Sequence, residues 1–183
     1  MNQSKMEFAV ESGALRLSDP CYDNDVWCKV TVPDARNGRW TGLAVRQDQG
    51  SWGKRTMALL AFHDGVAPID PQSPLWRRID GEVGVDSGQA GVFDEAAYAR
   101  FGAGQGEYGE VDTFYGKACA ITCGPSGAGT VDGFGVVSSS GYGDGGYSAY
   151  AYESNGKVVG VMIDFGLLPD EDCASEEYDE EEA

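Results

Sequence analysis

A chain of 183 residues with 42% hydrophobic and 11% aromatic content carries enough apolar surface for one buried core, which excludes a wholly disordered protein and points to a single domain. A formal net charge of −17 with only 13 Lys and Arg opposes phosphate backbones, so direct nucleic-acid binding is not expected. No apolar run reaches the ~18–20 residues that cross a bilayer, so no membrane association is expected, and the 27 glycines follow no fixed period, which excludes collagen and solenoid repeats.

The N-terminal stretch MNQSKMEFAVESG lacks the apolar centre of a secretory signal. Five cysteines are an odd number, so reduced thiols and a cytoplasmic location are the expectation. Ser18-Asp19-Pro20-Cys21-Tyr22 reads as a polar turn holding a carboxylate and a thiol. Cys28–Val32 and Arg39–Val45 then read as two strands of a hairpin joined through Pro33 and Asn37-Gly38. Lys54–Phe62 is a further strand, ending at His63, the only histidine. Glu82–Val85 is another, leading into Gly84-Val85-Asp86-Ser87-Gly88-Gln89-Ala90-Gly91, which is richer in Gly and polar residues than a turn requires.

Asp94 can cap a helix through Glu95–Arg100. Lys117–Thr122 is read as a strand. That reading puts Cys119 and Cys123 ~13 Å apart, too far to share a zinc ion. Gly124–Thr130 has the glycine frame of a phosphate loop, but Thr130 stands where Lys is needed and no helix signal follows. Gly133–Ser138 is a strand, and SSSGYGDGGY (138–147) is the third oversized Gly/Asp/Ser loop. Tyr147–Phe165 carries the strongest local signal: two β-rich runs flank Asn155-Gly156, a pair suited to two φ > 0 turn positions. From Asp170 to Glu182 there are nine carboxylates and no cation, which reads as a disordered acidic tail.

Strands adjacent as hairpins, rather than alternating with helices, predict a mainly β domain over residues 1–169. The expected form is an antiparallel sandwich or partly open barrel with one short helix, followed by the acidic tail at 170–183. If the three loops gather at one end of the strands, they assemble a site for a small polar ligand. In it Asp19, Asp86 and Asp144 would be the ligand or metal carboxylates, with Asp164 beside them. Ser87, Gln89 and Ser140 would supply neutral hydrogen bonds, and Cys21, Tyr22 and Tyr142 would form the walls. Convergent carboxylates hold a hard divalent cation or a polar organic ligand. Two other classes stand beside this one: an acidic interaction protein, of inhibitor or immunity type, presenting negative charge to a basic protein partner, and a cysteine hydrolase pairing Cys21 with His63.

At these same segments the chain resembles a bacterial family, domain-of-unknown-function family 4241. The resemblance is carried by SDPCY (18–22), GRW (38–40), GSWGKR (50–55), GVDSGQAGVFD (84–94), VVSSSGYGDGGY (136–147) and IDFG (163–166), in order, across most of residues 15–166. Some short phage and bacterial proteins carry a similar pair of DPCY and YGDG motifs. The resemblance implies a grouping and carries no assigned activity.

Overall fold

The computed structural model describes residues 5–102 and 110–169. The expected disordered tail falls outside the described residues. In chain order the strands are β1 (Met6–Val10), β2 (Leu15–Ser18), β3 (Val30–Val32), β4 (Gly38–Asp48), β5 (Lys54–His63), β6 (Arg77–Arg78), β7 (Val83–Val85), β8 (Gln89–Asp94), β9 (Ala128–Val131), β10 (Gly135–Ser139), β11 (Gly145–Ser154) and β12 (Lys157–Asp164). The helices are α1 (Glu95–Ala97), continued by a π-helical turn Tyr98–Gly102, and α2 (Phe114–Thr122). One sheet has seven strands in the order β1-β4-β5-β12-β11-β6, with β7 also pairing β11, and the second has five in the order β3-β2-β8-β10-β9. Every ladder is antiparallel, so the mainly β, antiparallel expectation holds.

Side-chain alternation builds the layers. In β1, Met6, Phe8 and Val10 are buried while Glu7 and Ala9 are exposed, the period-2 pattern of a strand with one face on a core. These residues meet Leu15, Leu17, Trp40, Leu59, Val92, Val136, Val161 and Ile163 between the two sheets. Each fully buried Leu, Val or Ile there contributes about 1.5–3 kcal/mol. β5 and β12 are buried on both faces, because Ala58, Leu60, Phe62 and Met162 pack outward under Trp76 and the partly buried Val45, Leu167 and Leu168. A third layer covers the outer face of the five-stranded sheet, where Phe93, Tyr98, Phe114 and Phe134 interlock. The Phe93 ring lies flat across the backbone of Gly91 and Gly135, where a β-carbon at either position would run into it. Glycine is needed at both for this close approach.

The last hairpin forms as the sequence predicts. Asn155 and Gly156 take φ 53° and 69° between Ser154 and Lys157, the all-positive geometry of a type I′ turn. Gly156→Val puts a β-branched residue at that φ and is expected to cost about 1–3 kcal/mol. An unchanged urea midpoint would contradict the assignment.

Three expectations are corrected. The Cys28–Val45 hairpin does not exist: β3 pairs β2 in one sheet, while β4 pairs β1 and β5 in the other. The connection cannot close on itself because its backbone groups are taken elsewhere. The Ala35 amide donates to the Gly13 carbonyl, the Arg36 amide to the Val158 carbonyl, and the Val158 amide to the Asp34 carbonyl. This segment therefore crosses from one sheet to the other. Lys117–Thr122 is helix, not strand, within α2, whose N-cap Thr113 accepts a hydrogen bond from the Gly116 amide. Ala118 and Ala120, good helix formers, agree with that cap. Cys119 and Cys123 consequently lie one turn apart, and the strand-based distance between them does not apply. Finally, two α-helices are present among the described residues where one was expected.

Candidate functional site

Asp19 is completely buried, an expensive position for a carboxylate unless hydrogen bonds replace water. They do. Oδ1 accepts from the Cys21 amide at 2.8 Å and the Ser87 hydroxyl at 2.6 Å; Oδ2 accepts from the Asp86 and Ser87 amides at 2.9 and 2.7 Å. One side chain thus ties the SDPCY turn to the loop after β7. The third loop joins through backbone: the Ser140 amide donates to the Gly88 carbonyl at 3.1 Å. Ser140 is buried, and its hydroxyl donates to the Gly143 carbonyl at 3.0 Å, closing its own turn.

Asp19 is therefore spent on holding the loops. The groups presented around it are Cys21, Tyr22 and Ser87, all half-buried, with Tyr115 and Cys119 on α2. Gln89, 2% exposed, fixes α2 against β8: its Nε2 donates to the Cys119 sulfur at 3.3 Å, and its Oε1 accepts from the Thr122 hydroxyl at 2.9 Å. Burial, and next the Asp19 carboxylate, push the Cys21 thiol far above its ordinary range. Burial pushes the Tyr115 phenol up to about 12, assisted by its hydrogen bond with Cys119 and opposed by Ser87. Burial also raises Tyr22, with Asp86 and Cys28 adding to the effect. At neutral pH these groups are uncharged O–H and S–H groups, able both to donate and to accept.

A buried cation supports the turn from beneath. Arg16 is 0% exposed, with Nε on the Ser18 hydroxyl at 2.8 Å, Nη1 on the Asn24 carbonyl at 3.0 Å and Nη2 on the Asp23 carbonyl at 2.8 Å. Its guanidinium stacks 4.0 Å over the Tyr98 ring, and desolvation lowers its pKa. The Tyr98 hydroxyl donates to the Tyr22 carbonyl at 2.7 Å. Both ends of the Cys21–Asn24 turn are thereby held by rigid donors.

Other expected members lie outside this cluster. Asp86 is exposed beside Tyr22, contributing its amide to Asp19. Asp144 is exposed. Tyr142 turns toward the β4–β5 connection, donating to Gln49 Oε1 at 2.8 Å and meeting Trp52 edge-on at 5.9 Å. Asp164 closes the end of β12, its Oδ1 accepting from the Gly166 and Leu167 amides. Among the described residues no three His, Cys, Asp or Glu side chains group as a metal site requires, so Asp19, Asp86 and Asp144 are not assembled into one. The Cys21–His63 pairing is also not formed: His63 Nδ1 accepts from the Gly65 amide at 2.9 Å, and Nε2 donates to the Asn37 carbonyl at 3.2 Å. A thiol held protonated is moreover a poor nucleophile.

Sequence reasoning missed Tyr115 and Cys119, which the strand reading of 117–122 hid, and the supporting pair Arg16 and Tyr98. The available signal was Thr113 preceding Phe-Tyr-Gly-Lys-Ala-Cys-Ala, a cap followed by helix formers. No protein-family model, no curated protein and no solved structure matches the chain.

Proposed function

We propose that this protein is a binding module that takes a small polar ligand, neutral or cationic, where the SDPCY turn, the VDSGQAG loop and α2 meet. The observation that carries the reading is the Asp19 clamp. Four hydrogen bonds to one buried carboxylate hold two loops distant in sequence in a single arrangement, and that preorganisation lowers the cost of ligand binding. The presented groups are the Ser87 hydroxyl, the Cys21 and Cys119 thiols and the Tyr22 and Tyr115 phenols, with the Asp86 carboxylate at the edge. The two cations nearby are already engaged, Arg16 as above and Lys29 with Glu95 at 2.8 Å, which disfavours anions. An amide, an alcohol or an amine fits this set. A hard divalent cation fits less well, because the buried carboxylate already accepts four hydrogen bonds.

Amide chemical shifts recorded against a panel of amines, amides, polyols, calcium and magnesium test the proposal. Shifts from an organic compound at Cys21, Tyr22, Ser87, Tyr115 and Cys119, weakened in Ser87→Ala, are the expected outcome. A response to divalent cations alone, or shifts elsewhere on the chain, would reject it.

A second reading, the acidic interaction protein, is favoured by Trp27, which is 92% exposed on the same loop as the exposed Asp23 and Asp25. An indole flanked by carboxylates suits a basic partner surface.

A further inference from the structure

Strand β4 is longer than the strand that covers it. β1 pairs only with Gly38–Gly42, ending where Met6 stands opposite Gly42, whereas β5 accompanies β4 on its other side from Trp40 to Asp48. Among the described residues no strand pairs with Leu43–Asp48 on the side that β1 occupies, and no turn or loop backbone bonds to it there. Alternate residues of an unpartnered edge turn their N–H and C=O groups outward. Six residues of this sheet, about 20 Å of strand, therefore carry an unused ladder.

The open edge borders a groove of about 890 Å³ that shares no lining residue with the loop junction. Leu43, Phe62, Val66 and Pro68 give it apolar surface. So do Met6 and Ala44, which belong to the core between the sheets, and Ala128, which packs against that core. The lining makes little demand for a charged occupant. Arg46 donates to the carbonyls of Pro125, Ser126 and Lys54, and Asp64 pairs with Arg39 at 2.8 Å. Asp48 accepts from the Gly50 amide at 2.9 Å and stands opposite Lys54 in the ladder.

We propose that Leu43–Asp48 is a strand-addition site: an extended, uncharged segment of a partner protein, apolar at every second position, continues the line of β1 along β4 and completes its ladder. The existing ladder supports this. β1 already occupies the same edge of β4, with Met6, Phe8 and Val10 buried in alternation, so the added segment extends a pairing rather than starting one. Main-chain hydrogen bonds hold such a segment, and alternation decides which side chains it accepts. On one face its apolar residues meet Ala44 and Ala128, whose small side chains line the groove beside the core; on the other they lie along Leu43.

Amide hydrogen exchange of the full chain, with and without a pool of terminally blocked hexapeptides alternating Val, Leu or Phe with Thr or Ser, tests the assignment. In the chain alone, alternate amides between Leu43 and Asp48 should exchange freely; with the pool they should slow by about tenfold or more. Leu43 is 38% exposed, so Leu43→Lys should leave the other strand amides protected while weakening the peptide effect about tenfold. A matched pool with Pro at every second position, unable to donate to a ladder, should have no effect. Slow exchange in the chain alone would mean that the edge is already paired and would overturn the proposal. Protection that follows chain concentration instead of peptide would assign the edge to a second copy and reject the partner segment. No protection from the alternating pool, or equal protection from the Pro pool, would also overturn it.

Discussion

Asp19→Ala should unfold the loop junction and lower global stability by about 3–5 kcal/mol, the sum expected when several buried donors lose a charged acceptor without replacement. Three amides and one hydroxyl converge on this carboxylate. Asp19→Asn keeps one acceptor oxygen but turns an N–H₂ toward amide donors, so a smaller loss of about 2–3 kcal/mol is expected. The Asn variant should also bring the Cys21 thiol down toward its ordinary range, because the Asp19 charge is among the causes of its elevation, while the larger effect of burial remains. Asp144→Asn, at an exposed position, should stay within about 0.5 kcal/mol of wild type. Urea denaturation at constant slope separates these values, and hydrogen exchange should show the Asp86 and Ser87 amides opening first. A midpoint for Asp19→Ala equal to that of wild type would mean that the carboxylate does not organise the loops.

Asp94 is expected to make the stability of the fold acid-sensitive. It is 3% exposed. Oδ1 accepts from the Ala97 amide at 2.8 Å, capping α1, and Oδ2 accepts from the Glu11 and Ser12 amides at 2.7 and 2.8 Å, closing the β1–β2 turn. Burial alone would raise its pKa, but the amides of Ser12, Ala97 and Glu11 outweigh it, and the net shift is downward. With the folded value below the unfolded ~3.9, the stabilisation is fully present above the unfolded pKa and is lost as pH falls through the folded one. Asp94→Ala should cost about 2–4 kcal/mol near neutrality, combining a lost cap with two uncompensated turn amides. Asp94→Asn should cost less, and its deficit relative to wild type should shrink as pH falls from about 5 toward 2. A deficit independent of pH would show that the charge on Asp94 contributes nothing.

Much of this protein was legible from local pattern because some of its features are decided within a few residues. Asn155-Gly156 demands two positive φ values, and an antiparallel pair of strands on either side follows from it. Asp94 before Glu-Ala-Ala caps a helix wherever the chain runs next. The three Gly/Asp/Ser-rich segments could be singled out because they exceed what a turn needs, and the structure joins them at the Asp19 carboxylate and the Ser140 amide. Residue type alone could not assign the work, however. Asp19, Asp86, Asp144 and Asp164 look alike in sequence, yet one is buried under four donors, one lends its amide, one faces solvent and one closes a strand end.

The rest depended on partners distant along the chain. Cys28–Val32 and Arg39–Val45 carry the composition of a hairpin, but Gly13 and Val158 take the backbone groups that would have closed it, and the two strands part into different sheets. The 114–122 segment, FYGKACAIT, mixes aromatic and β-branched residues with two alanines and so suits a strand or a helix equally. Thr113 and the aromatic face of Phe93, Tyr98 and Phe134 decide for the helix, and only then do Tyr115 and Cys119 reach Ser87 and Gln89. Turns and caps satisfy their own backbone within a few residues, so sequence determines them. Sheet pairing and buried carboxylates are satisfied by groups tens of residues away, and only the folded chain selects which ones.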